Sequence, residues 1–252
     1  MINTTVREVR RETPNAATLR LEAVTGAVEY RPGQYVKIDP HQFAVLGGAL
    51  REREARRGKP DGPGYFSLSS DALDARVVEI TVKAAASTAA PLPHFLVRDA
   101  RPGLRVALEG PAGRYCLPPA PPPDVGGFLH LCAGSGVAPN RGMIRHALAK
   151  GWPQRHVLVL QDRTEGDVLF REEWRTLGER ARVRFVYSSQ GEYVTPDLVR
   201  EAMAGFIDVP TSMAFLCGPN APRNGGPGFL DAWKTRLREA LGFEPPRIIT
   251  EG

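Results

Sequence analysis

Three short segments of this sequence combine residue types that could do chemistry. In "CAGSGVAPNRG" (132–142), Gly134 and Gly136 let the backbone bend tightly and approach a ligand, because no Cβ stands in the way. The unpaired N–H groups of a helix that begins there favour a phosphate. Pro139 occupies the region of the third glycine of the usual Gly-x-Gly-x-x-Gly pattern, so an ordinary glycine turn of an α/β fold is the alternative interpretation.

The second segment, "LCGP" (216–219), places a thiol, a glycine and a proline at an expected strand end. Taken alone, Cys217 is a buried small hydrophobic residue, the usual place of a free cysteine. Two glycine-bearing turns after two strands, one of them with a thiol, favour a shared ligand site instead. In the third segment, "GPGYFSLSS" (62–70), the residues from Phe66 to Ser69 predict a backbone wall that could hold a flat aromatic cofactor.

The elements that must position these segments follow two rhythms. As far as Leu117, short segments with apolar residues at alternate positions and frequent glycine and proline predict strands of an antiparallel barrel or sandwich. The segments are "TTVREV", "ATLRLEAV", "QYVKIDP", "RVVEITVKA" and "LRVALEG". From Gly127 onward, compact apolar strands alternate with amphipathic helices, which predicts a doubly wound parallel sheet that binds a nucleotide beyond its carboxyl strand ends.

A proline-rich segment, "LPPAPPPDVGG" (117–127), separates the two rhythms. Polyproline geometry is stiff and cannot continue a sheet, so this segment predicts a domain boundary. We therefore expect a barrel at residues 1–118, a linker at 119–126 and an α/β nucleotide-binding domain at 127–252.

Composition excludes several classes of function. No apolar run approaches the roughly 20 residues of a membrane span, and the first residues lack the apolar region of a secretory signal, so we expect a cytoplasmic protein that does not enter a membrane. A net charge of +5 without a basic patch does not indicate nucleic-acid binding. Three scattered cysteines are too few for a cysteine-ligated iron–sulfur cluster, and the five histidines show no metal spacing. His130 lies inside a predicted strand, where a core position is expected.

The sequence resembles the ferredoxin–NADP reductase superfamily along nearly its whole length. The segments that carry the resemblance, in the family's order, are "RPGQYV", "YFSLSS", "LEGPAGRYCL", "AGSGVAPNRGMI" and "CGP". The resemblance implies an antiparallel β-barrel of the flavin-binding type followed by an α/β domain for a nicotinamide nucleotide. It also implies FAD and NAD(P)H as cofactors.

The resemblance also implies roles for individual residues. Phe66 matches the tyrosine whose ring flanks the flavin, and Ser67 matches the serine that hydrogen-bonds flavin N5. Cys217 matches the thiol near nicotinamide C4, and Glu251 matches an acidic residue near the family's C-terminus. The other positions implied for the flavin are Leu68, Ser69 and Lys83. Those implied for the nicotinamide nucleotide are Gly134, Ser135, Gly136, Val137, Ala138, Pro139, Asp162, Arg163, Thr164, Gly218 and Pro219.

Two departures from the family pattern concern the flavin's phosphates. Gly64 stands in place of a pyrophosphate-binding arginine, and Ala90 and Pro93 stand in place of the glycine and serine of a second phosphate site. Each lost charge-assisted hydrogen bond costs roughly 1.5–3 kcal/mol, or roughly ten- to a hundred-fold in affinity. The possible substitutes are Arg51, Arg53, Arg56, Arg57 and Lys59 of an inserted stretch, and Ser87 and Thr88 of "KAAASTAA" (83–90). A solvated helical loop is the alternative for the inserted stretch.

These observations favour a flavoprotein reductase. We expect it to pass electrons from NADPH through an unusually held FAD to a separate, acidic acceptor protein, either a ferredoxin, a flavodoxin or an oxygenase component. Arg163 beside Asp162 favours NADPH over NADH. Two alternatives remain: a nucleotide-binding regulatory or assembly protein without flavin, and an enzyme that reduces a small substrate directly in the cleft between the domains.

Overall fold

In the computed structural model, which describes residues 1–84, 90–221 and 226–251, an antiparallel sheet precedes a parallel one. Within these residues the first sheet has six strands in the order β4-β3-β6-β1-β2-β5. They are β1 (Ile2–Thr13), β2 (Ala16–Ala23), β3 (Tyr35–Ile38), β4 (Gly64–Ser67), β5 (Val77–Lys83) and β6 (Arg105–Ala112). The predicted antiparallel first half is confirmed.

The two edges of this sheet meet and give it a barrel-like form. Just after β4, Leu68 bridges antiparallel to Ile80 of β5, and the N–H of Ser69 donates to the Glu79 carbonyl at 2.8 Å. Alternate strand residues point inward, as the sequence pattern predicts. The fully buried members of this core include Val6, Leu19, Leu21, Ile38 and Leu108.

Two helices are added to the barrel. Helix α1 (Gly47–Arg57) contains the arginine-rich insertion; it buries Leu50 in the barrel core and ends at Gly58, whose φ of 67° is left-handed. Helix α2 (Pro91–Arg98) buries Leu92, Leu96 and Val97 against the same core, so its apolar face decides how it packs.

The second sheet is parallel, and among the described residues it has five strands in the order β11-β10-β7-β8-β9. Its strands are β7 (Gly127–Ala133), β8 (Arg155–Asp162), β9 (Ala181–Tyr187), β10 (Ser212–Cys217) and β11 (Ile248–Thr250). Its helices are α3 (Val137–Ala149), α4 (Arg171–Trp174), α5 (Pro196–Met203) and α6 (Phe229–Glu239). The predicted doubly wound α/β half is confirmed. Helix α4 is short because Phe170 (φ 58°) and Gly178 (φ 76°) adopt left-handed backbone conformations on either side of it.

The strand order places a switch point at β7. From β7 the chain proceeds to β8 and β9 on one side, and then returns to β10 on the other. The loops that follow β7 and β10 therefore diverge to opposite faces and leave a crevice between them, where parallel sheets bind ligands. Gly134 lies in the first of these loops, and Cys217 is the last residue of β10, just before the second.

The segment between the sheets is not an isolated spacer. Tyr115 and Leu117 are buried with Phe128 and Met143 of the α/β half, and the N–H of Leu117 donates to the Pro32 carbonyl at 3.1 Å. The boundaries 1–118, 119–126 and 127–252 remain a prediction. In the part of the chain that the structure describes, none of the helices is both long and apolar enough to cross a bilayer.

Candidate functional site

The turns after β7 and β10 touch each other at the switch point. Cys132 and Cys217 are register partners on these strands, and Gly134–Gly136 form a 3-10 turn before α3. A Cβ added to Gly136 would lie 2.4 Å from the Cys217 carbonyl oxygen, so only glycine fits this contact. Gly218 is similarly enclosed, because a Cβ there would lie 2.7 Å from the Phe229 ring.

Three residues whose roles the resemblance implies, Ser67, Cys217 and Glu251, converge at this point. The Ser67 hydroxyl donates to Oε1 of Glu251 at 2.9 Å, and the Cys217 thiol donates to Oε2 of the same carboxylate at 2.5 Å. Ser67 ends β4 of the barrel, while Glu251 follows β11 of the parallel sheet. The chain thus brings a hydroxyl, a thiol and a carboxylate together from three distant segments. We call this group the Ser67–Glu251–Cys217 cluster.

The electrostatics of the cluster keep the thiol protonated. Burial raises the pKa of Cys217 well above its ordinary value, and the charge and the hydrogen bond of Glu251 raise it further. A thiolate would be the nucleophilic and metal-binding form of cysteine. Cys217 is therefore a neutral hydrogen-bond donor in this site. Cys116 and Cys132 are also free and buried, and burial raises the pKa of both.

The glycine loop presents mainly backbone to a ligand. Ser135 is exposed and Gly134 is half-buried with a left-handed φ of 55°, whereas the side chains of Val137, Ala138 and Pro139 are buried. These three residues could contact a nucleotide only through their main chain. A role in binding its pyrophosphate and ribose remains a prediction for all of them.

A buried polar network lies behind this loop. Asn140 donates from Nδ2 to the Gly136 carbonyl at 2.8 Å, which fixes its Oδ1 as an acceptor. That oxygen accepts from the Tyr115 hydroxyl at 3.0 Å and from Nδ1 of His130 at 2.8 Å. Nε2 of His130 then accepts from Nδ1 of His156 at 3.1 Å, and Nε2 of His156 has no hydrogen-bond partner among the described residues.

Both histidines of the network are neutral. Burial lowers the pKa of His130 from 6.5 to about 4, although its bond to Asn140 acts in the opposite direction. Burial also lowers the pKa of His156 well below its ordinary value. The expected core position of His130 is confirmed by its full burial. Its link through Asn140 to the nucleotide loop was not predicted, because the sequence does not show which buried groups pair.

The strand wall predicted for a flat cofactor is only partly available. The N–H of Leu68 donates to the Gln34 carbonyl and that of Ser69 to the Glu79 carbonyl, both at 2.8 Å. The Ser69 carbonyl accepts from Arg141 at 2.9 Å. The barrel and α3 therefore use three of the four backbone groups that Leu68 and Ser69 were expected to offer a ring. These three groups are not free for a ring because the barrel takes the two N–H groups and Arg141 takes the Ser69 carbonyl.

Arg141 joins the two sheets, and the sequence analysis missed it. Its side chain is 2% exposed, and it donates to Glu79 of β5 at 2.6 Å and to Glu173 of α4 at 2.7 Å. Its guanidinium also lies 4.5 Å from the centre of the Phe170 ring. The signal in the sequence was a charged residue in the middle of an apolar helix, which requires paired partners once it is buried.

A second ion pair crosses between the sheets at the end of β8. Lys83 donates to Asp162 at 3.2 Å and to the Asp167 carbonyl at 3.3 Å. Burial raises the pKa of Asp162, and the charge of Lys83 opposes that change. Arg163 next to it is exposed, and Thr164 donates to Asp167 at 2.7 Å. The predicted ribose-reading acid is thus already paired with the residue predicted for the flavin.

The residues around the place expected for the flavin's phosphates differ from those around the place expected for its ring. A Cβ added to Gly64 would lie 2.8 Å from the Phe66 ring and 3.0 Å from Leu92, and both of these side chains are buried. Of the arginines proposed as substitutes, Arg53 pairs with Asp61 at 3.2 Å, and Arg57 pairs with the same carboxylate. Ser87 and Thr88 lie outside the described residues. The Ser67 hydroxyl is therefore the predicted ring contact that the structure places at the junction of the sheets, whereas the space beside Gly64 is filled by apolar side chains.

The described residues offer no set of side chains that could ligate a metal ion at this site. Among residues 1–84, 90–221 and 226–251, no three histidine, cysteine or acidic side chains are grouped so that they could hold a metal ion. The chemistry that the cluster can support is hydrogen bonding to a ligand held in the crevice, with Pro219 and Gly218 beside it. The roles of the predicted site residues remain proposals.

Comparison with known proteins places this arrangement in context. Residues 131–222 match the family model described as "Oxidoreductase NAD-binding domain". The chain is 34% identical over 172 residues to an NADPH oxidoreductase of Mycobacterium tuberculosis, covering 67% of this chain and 40% of the relative. It is 30% identical over 244 residues to the ferredoxin reductase component of a 3-ketosteroid-9-alpha-monooxygenase of Mycolicibacterium smegmatis, covering 93% and 61%. The chain thus spans about half the length of these two relatives.

A solved structure has the same fold over the whole chain. The cytochrome P450 reductase GcoB of Amycolatopsis superposes with a TM-score of 0.76 at 22% identity. The match covers 99% of this chain and 68% of the reductase. At this identity the likeness establishes the two-sheet fold.

Proposed function

Because this chain belongs to the ferredoxin–NADP reductase superfamily, we propose that it is a flavin-dependent NAD(P)H oxidoreductase. In this proposal, electrons from NADPH pass through FAD to a separate one-electron acceptor. The observation that carries it is the Ser67–Glu251–Cys217 cluster, which joins the barrel to the switch point of the parallel sheet.

The chain's own residues supply binding, orientation and proton control. When bound, FAD supplies the ability to accept a hydride and to release its electrons singly. Ser67 would hold the ring's hydride-accepting edge through its hydroxyl. Phe66 is 8% exposed in the barrel core and would reach the ring only through its exposed edge. Glu251 is positioned to orient Ser67 and Cys217 and to keep the thiol protonated, since it accepts a hydrogen bond from each. Cys217 would contact the nicotinamide as a neutral thiol, which cannot compete as a nucleophile.

We propose NADPH as the preferred donor. An acid at a strand end recognises the free ribose hydroxyls of NADH, but Asp162 is buried and paired with Lys83. The adjacent Arg163 is exposed and could bind a 2′-phosphate. The relative that is 34% identical is named an NADPH oxidoreductase, which agrees with this choice.

The acceptor proposed is an acidic ferredoxin, flavodoxin or oxygenase component. Three cysteines within these 252 residues are too few to ligate an iron–sulfur cluster, so electrons must leave for a centre outside them. One relative is named as the ferredoxin reductase component of a monooxygenase. The exposed Arg51 and Arg56 of α1 and a net charge of +5 favour an acidic partner. A cytoplasmic location remains a prediction.

The first experiment is to record the absorbance spectrum of the purified protein before and after addition of FAD. A yellow protein that NADPH bleaches under anaerobic conditions supports the proposal. A colourless protein that cannot be reconstituted but still binds NADPH contradicts it and favours one of the flavin-free alternatives.

The second experiment tests the cluster by rapid mixing with NADPH. Cys217→Ala should slow flavin reduction several-fold, because the nicotinamide loses the neutral contact that orients it. Cys116→Ala is the matched control, since its thiol is also buried but donates to the Arg114 carbonyl, away from the cluster. Equal rates in the two variants would remove the role assigned to Cys217.

A further inference from the structure

The space beside β4 where a flavin's phosphates are expected is apolar. Phe66 and Leu92 are 8% and 3% exposed, and a Cβ added to Gly64 would lie 2.8 Å from the Phe66 ring and 3.0 Å from Leu92, so these side chains would have to move to admit one there. No lysine or arginine occurs in residues 60–70 or 90–93. A pyrophosphate carries two negative charges, so burying it against this surface would cost free energy without compensation.

The start of α2, next to Gly64, is also a poor anion site. The first turn of a helix normally offers unpaired N–H groups to a phosphate. Here Pro91 and Pro93 stand in that turn and have no N–H, and Ala90 at the N-cap has no polar side chain. The buried Leu92 lies between the two prolines.

Two cations of α1, Arg53 and Arg57, are already paired. Asp61 holds both Arg53 and Arg57, while Glu54 accepts from His41 and from the N–H of Asp61 at 2.8 Å each. Moving either arginine to a phosphate would leave the buried Asp61 with only one partner. Binding a phosphate there would therefore cost about as much as it gains.

From these observations we propose that this chain binds its flavin through the ring system and not through the pyrophosphate. FAD, FMN and riboflavin should then bind with similar affinity, because the ring they share is what the site recognises. The inference rests on the proposed function, since it presumes a flavin beside the Ser67–Glu251–Cys217 cluster. It adds that the flavin is exchangeable, so that free flavins as a chemical class are ligands of this site.

The test is a titration of the full chain with each of the three flavins, in which quenching of flavin fluorescence is the signal for binding. We expect the three dissociation constants to agree within about fivefold, since even one charge-assisted phosphate contact would change affinity about tenfold or more. Ser67→Ala should weaken all three flavins by the same factor, because it removes a contact to the shared ring.

An engineered arginine provides the reciprocal measurement. Gly64→Arg should tighten FAD relative to riboflavin by about ten- to a hundred-fold, because it adds a guanidinium beside the place expected for the phosphates. Gly64→Met displaces Phe66 and Leu92 in the same way without charge and should shift all three flavins equally. Thermal unfolding of both variants shows whether they keep the fold.

Three results would overturn the inference in different ways. If wild-type protein binds FAD more than about tenfold tighter than riboflavin, a phosphate site exists and only this inference fails. FMN binding as tightly as FAD, with riboflavin much weaker, would reveal a single-phosphate site and overturn it as well. If none of the three flavins binds, the proposed function itself is wrong.

Discussion

Replacing Arg141 by methionine should destabilise the protein more than any other single change at the junction of the two sheets. Methionine keeps much of the apolar stem and removes the guanidinium. The change leaves Glu79 without its cation, leaves Glu173 with only Arg145 at 3.5 Å, and leaves the Ser69 carbonyl without its donor. Removing one partner of a buried ion pair costs about 3–5 kcal/mol, and an orphaned buried acceptor about 1–3 kcal/mol.

The two costs overlap, and the structure indicates where the total should fall. Glu79 and Glu173 keep 17% and 25% of their side-chain surface exposed, so water can partly solvate them once Arg141 is gone. We therefore expect the free energy of unfolding to decrease by about 4 kcal/mol, near the middle of the range for broken buried pairs. Arg145→Met is the control: this side chain is 41% exposed and pairs with Asp71 at 3.1 Å and with Glu173 at 3.5 Å. Because Arg141 still pairs with Glu173 in this variant, the loss should cost less than about 1 kcal/mol.

Urea unfolding at neutral pH, followed by two probes, measures this effect and shows where it acts. All three tryptophans, Trp152, Trp174 and Trp233, belong to the α/β half, so their fluorescence reports that half alone. Far-UV circular dichroism reports both sheets. In the wild type the two transitions should coincide, and in Arg141→Met they should separate because a clamp between the halves is lost. Equal destabilisation by Arg141→Met and Arg145→Met, or a loss below about 1 kcal/mol in the former, would refute the argument.

Three further predictions concern pH, nucleotide choice and the loop network. Because burial lowers the pKa of His130 from 6.5 to about 4, the unfolded chain binds a proton first on acidification. This residue alone should reduce the free energy of unfolding by about 3 kcal/mol from pH 7 to pH 4. His130→Phe should show a flatter pH dependence in urea unfolding, and an unchanged slope would contradict the assignment. Arg163→Gln should lower kcat/KM for NADPH about tenfold relative to NADH. Lys83→Met removes the partner of Asp162 and should raise kcat/KM for NADH in the same assay. Unchanged ratios in both variants would reject Asp162 and Arg163 as the residues that select the nucleotide. Asn140→Leu should raise the KM for NADPH with little change in kcat, because it frees the Gly136 carbonyl and loosens the loop; a fall in kcat alone would indicate a different role.

Much of the architecture could be predicted because it follows from local patterns. Alternating apolar residues identified the strands of the barrel, and continuous apolar runs such as "GFLHLCAG" identified the parallel sheet. The family motif then identified Ser67 and Cys217, and these two residues lie on one carboxylate in the structure.

What escaped prediction depends on contacts between residues far apart in sequence. Arg141 and Glu79 are 62 positions apart, and nothing local in either segment indicates that they pair. Lys83 and Asp162 were expected to serve different cofactors, yet they bind each other across the junction. The absence of an arginine at Gly64 was visible in the sequence, but the apolar filling by Phe66 and Leu92 could be seen only after α2 had been placed beside β4.

The rates at which the three buried cysteines are modified would report local opening of the protein. Cys116, Cys132 and Cys217 are 8%, 0% and 2% exposed, and burial raises the pKa of each. Since alkylating reagents attack the thiolate, labelling in native buffer must wait for a fluctuation that hydrates the sulfur. Cys116 lies after the barrel, Cys132 in the centre of the parallel sheet and Cys217 at the crevice. Three modification rates from one mass-spectrometric time course would therefore show which part of the protein opens most readily.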